Sequence, residues 1–318
     1  MPSPAQTNQT NLEKLSQELL QAFDNVNGLH AGFRPAHAKG VMYSGTFEPS
    51  PEAAILTRAP HAMAPSTNAI VRFSDFGGVP TISDNDPNAN PRGFAIRFDL
   101  GPHVHTDIIG HSHNGFPVKT GEEFLELLRS IKASGPDAKK PTALDQFMLS
   151  HPKALHFFEN PGSVPASFAK ESYFAVTAFC FTNKDGASCY GRFQILPEGG
   201  NEYLDDATVK SKSENFLFEE MDTRLTSGPV KLRIVVEIAE AGDDVSDATI
   251  VWPANRRHVN FGTVTLTKRV ADDDAEAKRI IFDPVPRVDG IDPSDDSLIE
   301  IRAALYLLSG RRRRAAVG

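Results

Sequence analysis

The chain has 318 residues, with 33 Lys and Arg against 41 Asp and Glu and a formal net charge of -8, a balance that argues against a general nucleic-acid binder. Apolar residues make up 40% of it and charged residues 23%, the profile of a folded globular protein and not of a disordered one. No apolar run approaches the roughly 18 residues a membrane-spanning helix needs, and MPSPAQTNQTN at the N-terminus lacks both regions of a signal peptide, so a cytoplasmic protein with no membrane partner is expected.

The first helix is predicted over residues 11–24, with Leu12, Leu15, Leu19, Leu20 and Phe23 on one face and Asn27-Gly28 as its stop. RPAHAKG, residues 34–40, follows and sets one histidine, His37, among small residues with a basic residue on each side. Strand-like alternation then recurs in GVMYSGTF, AIVRFSDF, GFAIRFDL, YFAVTAFCF, ASCYGRFQIL, VKLRIVVEIA and FGTVTLTKRV, each bounded by Gly, Pro, Asn or Asp. Seven such runs suggest a closed or nearly closed antiparallel barrel.

Helices interrupt the strands. In TGEEFLELLRSI, Thr120 and Glu123 form a capping box ahead of Phe124, Leu127, Leu128 and Ile131. Two more helices are predicted over residues 214–225 and 297–309. With no internal repeat or long linker, residues 28–318 read as a single domain behind an N-terminal helical segment, residues 1–27. The 21 Phe, against one Trp and five Tyr, suggest a voluminous interior able to surround something large and flat, although a big core uses them equally well. Cys180 and Cys189 flank the turn NKDG and are expected to be a reduced pair.

In the last helix Arg302 and Tyr306 are four residues apart, so they share a face with the guanidinium one turn before the phenol. A neighbouring cation favours the phenolate, a hard anionic ligand that suits ferric iron. The ordinary use of the same spacing is a core tyrosine that turns its hydroxyl to the surface.

The order of several strings resembles the haem catalase superfamily. HAKG at 37–40 is similar to its distal-histidine segment, VRFSDFGG at 71–78 and NPRGFAIRFDL at 90–100 to two of its strands. The hairpin FTNKDGASCYGRF, then IVWP at 250–253, then IIFDPVPRVDGIDPSDDSL, and finally R-x-x-x-Y at 302–306 follow in the family's order. The resemblance covers residues 28–314 and implies an α+β fold: a catalase-like closed antiparallel β-barrel with surrounding and C-terminal α-helices and a buried haem b. It makes Tyr306 the proximal iron ligand and His37 the distal residue, and Arg34, Arg72, Ser74, Arg302 and Arg313 haem contacts, with Phe124 as the aromatic ring near the haem. Where the family carries a distal asparagine this chain has His111, with Asn114 close enough for a local shift to bring it in; both stand as candidates.

Its shortness makes the chain similar to the small catalase-related peroxidases. That implies reduction of organic hydroperoxides, and of hydrogen peroxide, with a small electron donor, weak catalase activity, and a homodimer or monomer. His37 would move the proton that peroxide cleavage requires. Three alternatives use the same residues differently: a fatty-acid hydroperoxide isomerase of the same superfamily, a non-catalytic haem-binding protein with no need of His37, and a non-haem metal oxygenase built on the two H-x-H pairs, His103 with His105 and His111 with His113.

Overall fold

The computed structural model describes residues 4–316, and one antiparallel sheet that closes on itself organises them. Helix α1 (Pro4–Asn27) precedes β1 (Gly40–Pro49), the short helices α2 (Pro51–Leu56) and α3 (Pro60–Met63), and the strands β2 (Thr67–Ser74), β3 (Gly93–Gly101) and β4 (Val104–His111). Helices α4 (Gly121–Ala133), α5 (Ala143–Ser150) and α6 (Pro152–Glu159) then lead to β5 (Tyr173–Phe174), β6 (Phe179–Thr182) and β7 (Ser188–Pro197). The chain ends with α7 (Asp206–Ser211), α8 (Phe216–Ser227), β8 (Val230–Ile238), β9 (His258–Arg269), α9 (Asp273–Arg279), β10 (Ile291–Pro293) and α10 (Ser297–Ala315). Around the barrel the order is β7, β5, β4, β3, β2, β1, β9, β8, and β8 pairs back with β7 to make eight closed strands; β6 and β10 extend the sheet beside β7.

Alternation decides what the barrel holds and what it shows. Val71 and Phe73 of β2 and Phe94, Ile96 and Phe98 of β3 belong to the barrel core, whereas Arg72, Ser74, Ala95 and Arg97 between them take the outer face. The phenylalanines fill the interior: Phe47 meets Phe98 at 4.9 Å between ring centroids, Phe73 stacks on Phe168 at 5.2 Å, and Phe193 meets Phe261 at 5.3 Å. A second apolar cluster lies outside, where Leu19 and Phe23 of α1 pack with Leu125 and Leu128 of α4 and Leu298, Ile301 and Leu305 of α10.

The elements differ from the sequence pattern in three places. YFAVTAFCF is two strands, β5 and β6, because Val176 between them turns toward the helical cluster. β4 was not among the seven alternating runs, since VHTDIIGH puts polar residues on both faces. Helix α10 continues through the arginine run to Ala315 instead of stopping at 309: arginine is a strong helix former, cations suit a helix C-terminus, and Gly310 lies where a Cβ would strike Ile281. The capping box of Thr120 and Glu123 is present at α4. Cys180 and Cys189 are both free thiols, paired with Tyr190 and Phe181 respectively across the β6–β7 ladder, so their side chains leave opposite faces. No helix among the described residues is long and apolar enough to cross a membrane.

Candidate active site

Against the outer wall of β2, β3 and β4, and under α1, α4 and α10, lies a cavity of about 1450 Å³ counting its mouth. The site therefore sits beside the barrel and not within it, because side chains already pack the interior. Strands contribute Arg72, Ser74, Gly93 and His111; the loop before β1 contributes Arg34 and His37; α4 contributes Phe124; α10 contributes Arg302, Tyr306 and Arg313. Nine of the ten residues singled out from sequence line this one space, and Asn114 is not among its lining residues.

His37 is held from several sides. Its backbone is left-handed, φ 52, an unusual state for a residue with a side chain, and its N–H donates to Phe76 O at 2.9 Å. Arg72 Nη2 donates to the carbonyls of His37 and Ala38, at 2.9 and 3.2 Å. The ring meets Phe76 edge-on at 5.4 Å, and Nδ1 lies 3.2 Å from Ser74 Oγ. Gly93 forms the floor: a Cβ there would strike both Ser74 Oγ and His37 Nδ1, so only glycine admits the imidazole this close to β3. Burial, with the Arg72 charge second, pushes His37 from 6.5 down to about 3, so the imidazole is neutral at physiological pH.

His111 closes β4 on the same wall. Burial, then the neighbouring His37 and His113, hold it at about 3 as well. Its Nδ1 accepts the backbone N–H of His113 at 3.3 Å, which leaves the proton on Nε2, a buried donor with no protein partner. The two H-x-H pairs do not converge. His105 Nδ1 lies 3.2 Å from Asp107 Oδ1, His113 packs on Phe157 at 4.4 Å, and among the described residues no three His, Cys, Asp or Glu side chains gather to hold a metal ion.

Opposite ends of α10 serve two purposes. Arg302 Nε stands 3.4 Å from Tyr306 Oη, as their spacing predicts. One turn and more beyond, Arg313 Nη1 donates to Ser309 Oγ at 2.9 Å and Nη2 to Ile280 O at 2.8 Å, while Arg34 Nη2 reaches the same carbonyl at 3.2 Å. Burial lowers Arg34, Arg72 and Arg313, and for Arg34 the charges of the other two come next among the causes. The Nε atoms of Arg72 and Arg313 are buried without a partner. Three crowded guanidiniums, two of them with an unspent donor, are complementary to a multiply anionic ligand, and carboxylates match their geometry.

A family model described as Catalase matches residues 16–317. The chain belongs to the catalase family. It is 31% identical over 299 residues to a catalase-related peroxidase of Mycolicibacterium paratuberculosis, covering 93% of this chain and 94% of that one. A catalase-related peroxidase of Synechococcus elongatus is also 31% identical, over 93% of this chain and 88% of its own. Solved structures of a fungal catalase and of catalase A from Saccharomyces cerevisiae share the fold, each with a TM-score of 0.78, at 19% and 18% identity. Those alignments cover 89% of this chain, which spans only 59% and 62% of theirs. Membership makes the chain a catalase-related oxidoreductase and implies a haem cofactor.

The cavity fits such a group. It joins a wide apolar space to one phenol, two neutral imidazoles and a rim of arginines with orphaned donors. Sequence reasoning passed over part of its wall: Phe76, Phe116, Phe174 and Phe282 line it, as do Leu19 and Phe23 from α1. Phe76 had a signal, standing two residues after Ser74 in VRFSDF; α1 had only the apolar stripe of any packing helix.

Proposed function

We propose that this chain is a haem-dependent peroxidase that reduces organic hydroperoxides, and hydrogen peroxide, with a small electron donor, and that it dismutates hydrogen peroxide weakly. The observation that carries the reading is the single cavity in which His37, engaged by Ser74, shares a space with Tyr306, backed by Arg302. The comparisons support it, since relatives of nearly the same length are named catalase-related peroxidase.

Tyr306 would hold the iron of a haem b through its phenol oxygen, and Arg34, Arg72 and Arg313 would take the carboxylates, with Phe124 on the apolar wall. A bound haem supplies the redox chemistry, cleavage of the peroxide bond and storage of the oxidising equivalents that the donor removes. Arg302 places a cation beside the phenol oxygen. With Nδ1 engaged by Ser74, Nε2 of His37 is the nitrogen free to accept the proton from one peroxide oxygen and return it to the other. An imidazole held near 3 does not keep that proton, so acceptance and return are closely coupled. His111 contributes a hydrogen-bond donor, Nε2–H, to the same wall. Residues 28–318 form the haem domain behind an N-terminal helical segment, residues 1–27, whose Leu19 and Phe23 add to the cavity wall, and the protein is cytoplasmic and a homodimer or monomer.

A haem carrier would need Tyr306 but not the strained, braced His37. The test is the ferric absorption spectrum of purified protein, followed by donor oxidation driven by an alkyl hydroperoxide. Haem with phenolate character and rapid donor oxidation are expected; a protein that binds haem but does not consume the hydroperoxide is a carrier.

A further inference from the structure

Just beneath the two histidines lies a charge cluster that the proton chemistry does not use. Asp75 and Arg92 have side chains with 0% exposure, and Arg92 Nη1 donates to Asp75 Oδ1. Arg92 Nη2 donates to Asp84 O at 2.5 Å, and Lys39 Nζ lies 3.6 Å from Asp75 Oδ2 while donating to Asp84 Oδ1 at 2.5 Å. Burial pushes the Asp75 carboxyl up, and Arg92 pulls it back.

The connections of this pair lead to both histidines. Asp75 follows Ser74, the hydroxyl on His37 Nδ1, and its backbone N–H donates to Lys39 O at 3.1 Å, two residues beyond His37. Arg92 precedes Gly93, the floor beneath His37. The backbone N–H of Arg92 donates to Ser112 Oγ at 2.9 Å, and the N–H of Ser112 returns to Arg92 O at 2.8 Å, one residue beyond His111. Four chain segments that carry the distal wall therefore meet on one ion pair. A buried pair is not needed for stability alone, because well-packed apolar residues serve at least as well. We propose that the Asp75–Arg92 pair is a positioning device that fixes the separation of His37 and His111 across the cavity.

The proposal rests on the haem-peroxidase reading, and its test uses the haem-loaded protein. Carbon monoxide on the reduced protein is the probe, since its stretching frequency responds to hydrogen-bond donors placed near it. Asp75→Asn leaves a buried guanidinium without its carboxylate and can simply fail to fold. Asp75→Leu combined with Arg92→Met removes both charges together. That double variant is expected to retain haem, to shift the carbonyl band, and to react with an alkyl hydroperoxide about 10²-fold more slowly, the effect of misplacing a reacting group by roughly 1 Å. Ser74→Ala, which touches only His37, should shift the band less. Should the double variant not fold, Arg92→Lys carries the same test, because it keeps the charge and loses the fork. A wild-type band and wild-type rate in whichever variant folds overturn the positioning role, even where melting temperature has dropped. A wild-type protein without haem overturns this proposal together with the functional reading, whereas failure of the variants alone leaves that reading intact.

Discussion

Arg302 Nε sits 3.4 Å from Tyr306 Oη, and its guanidinium carbon is 5.7 Å from the centroid of the same ring. One cation thus lies beside the oxygen and over the ring of a phenol that lines the cavity, so the charge next to the proposed iron ligand is set by a residue on the same helix.

The first prediction follows from that pairing. Tyr306→Phe should deplete haem or transform the ferric spectrum. Arg302→Met keeps the ligand and the length of the stem but removes the charge, so it should give a smaller change in the same direction. Haem-to-protein ratio and absorption spectrum decide the matter; stoichiometric haem with an unaltered spectrum in Tyr306→Phe refutes the ligand assignment.

The second concerns proton movement. His37→Ala should leave haem in place and slow the reaction with hydroperoxide by about 10² to 10⁴, the usual loss when a positioned acid–base group is removed. Gly93→Ala should approach the same phenotype with His37 still present, because the added methyl group occupies the place of Ser74 Oγ and His37 Nδ1. Rates from rapid mixing with an alkyl hydroperoxide, normalised to haem, measure both. Wild-type rates in Gly93→Ala would show that His37 does not act from the position described.

Much of this site was legible in the chain, for reasons that differ between residues. Helical spacing put Arg302 on the face of Tyr306, since local periodicity fixes the face on which a side chain emerges, whereas the roles of Tyr306, Arg72 and Ser74 in one site were implied by the resemblance. The same holds for His37: its left-handed backbone and the bonds from Phe76 and Arg72 depend on residues far along the chain, so its position was implied by resemblance and not by any local signal. The location of the cavity outside the barrel could not be read either. It depends on three helices, α1, α4 and α10, whose apolar stripes do not announce what they cover. In the arginine run Arg313 turns inward while Arg311 and Arg314 stay exposed, a choice made by the helix continuing past residue 309.

A third prediction concerns acid stability. His61, in α3, stacks on Phe98 at 4.7 Å, and its Nδ1 has no partner. Burial alone pushes it from 6.5 down to about 3. Between those values the unfolded chain binds a proton that the folded chain refuses, so stability is present above 6.5 and declines as pH falls toward 3. His37 and His111 act in the same sense. His61→Phe removes one of these three contributions, so its melting temperature should fall less steeply between about pH 6.5 and about pH 4 than that of the wild type. Parallel curves would show that His61 titrates alike in the folded and unfolded chain.

The last prediction separates peroxidase from catalase. Dismutation needs a second hydrogen peroxide held in place to be oxidised, and the resemblance puts an asparagine amide on the distal wall to orient it. Here that wall carries His111, and Asn114 is not among the residues lining the cavity. An imidazole still offers Nε2–H, but as a single donor on a rigid ring wedged near Phe116 and Phe157, at 6.3 Å from each. It cannot also accept at that atom, as an amide group can at its oxygen. A second peroxide misplaced by roughly 1 Å costs about 10² in rate, and a small donor that only delivers electrons is spared that penalty. His111→Asn should therefore raise oxygen release from hydrogen peroxide relative to donor oxidation driven by an alkyl hydroperoxide, both measured on one preparation. If the wild type already evolves oxygen rapidly and oxidises donor negligibly, His111 does the amide's work and the protein is foremost a catalase.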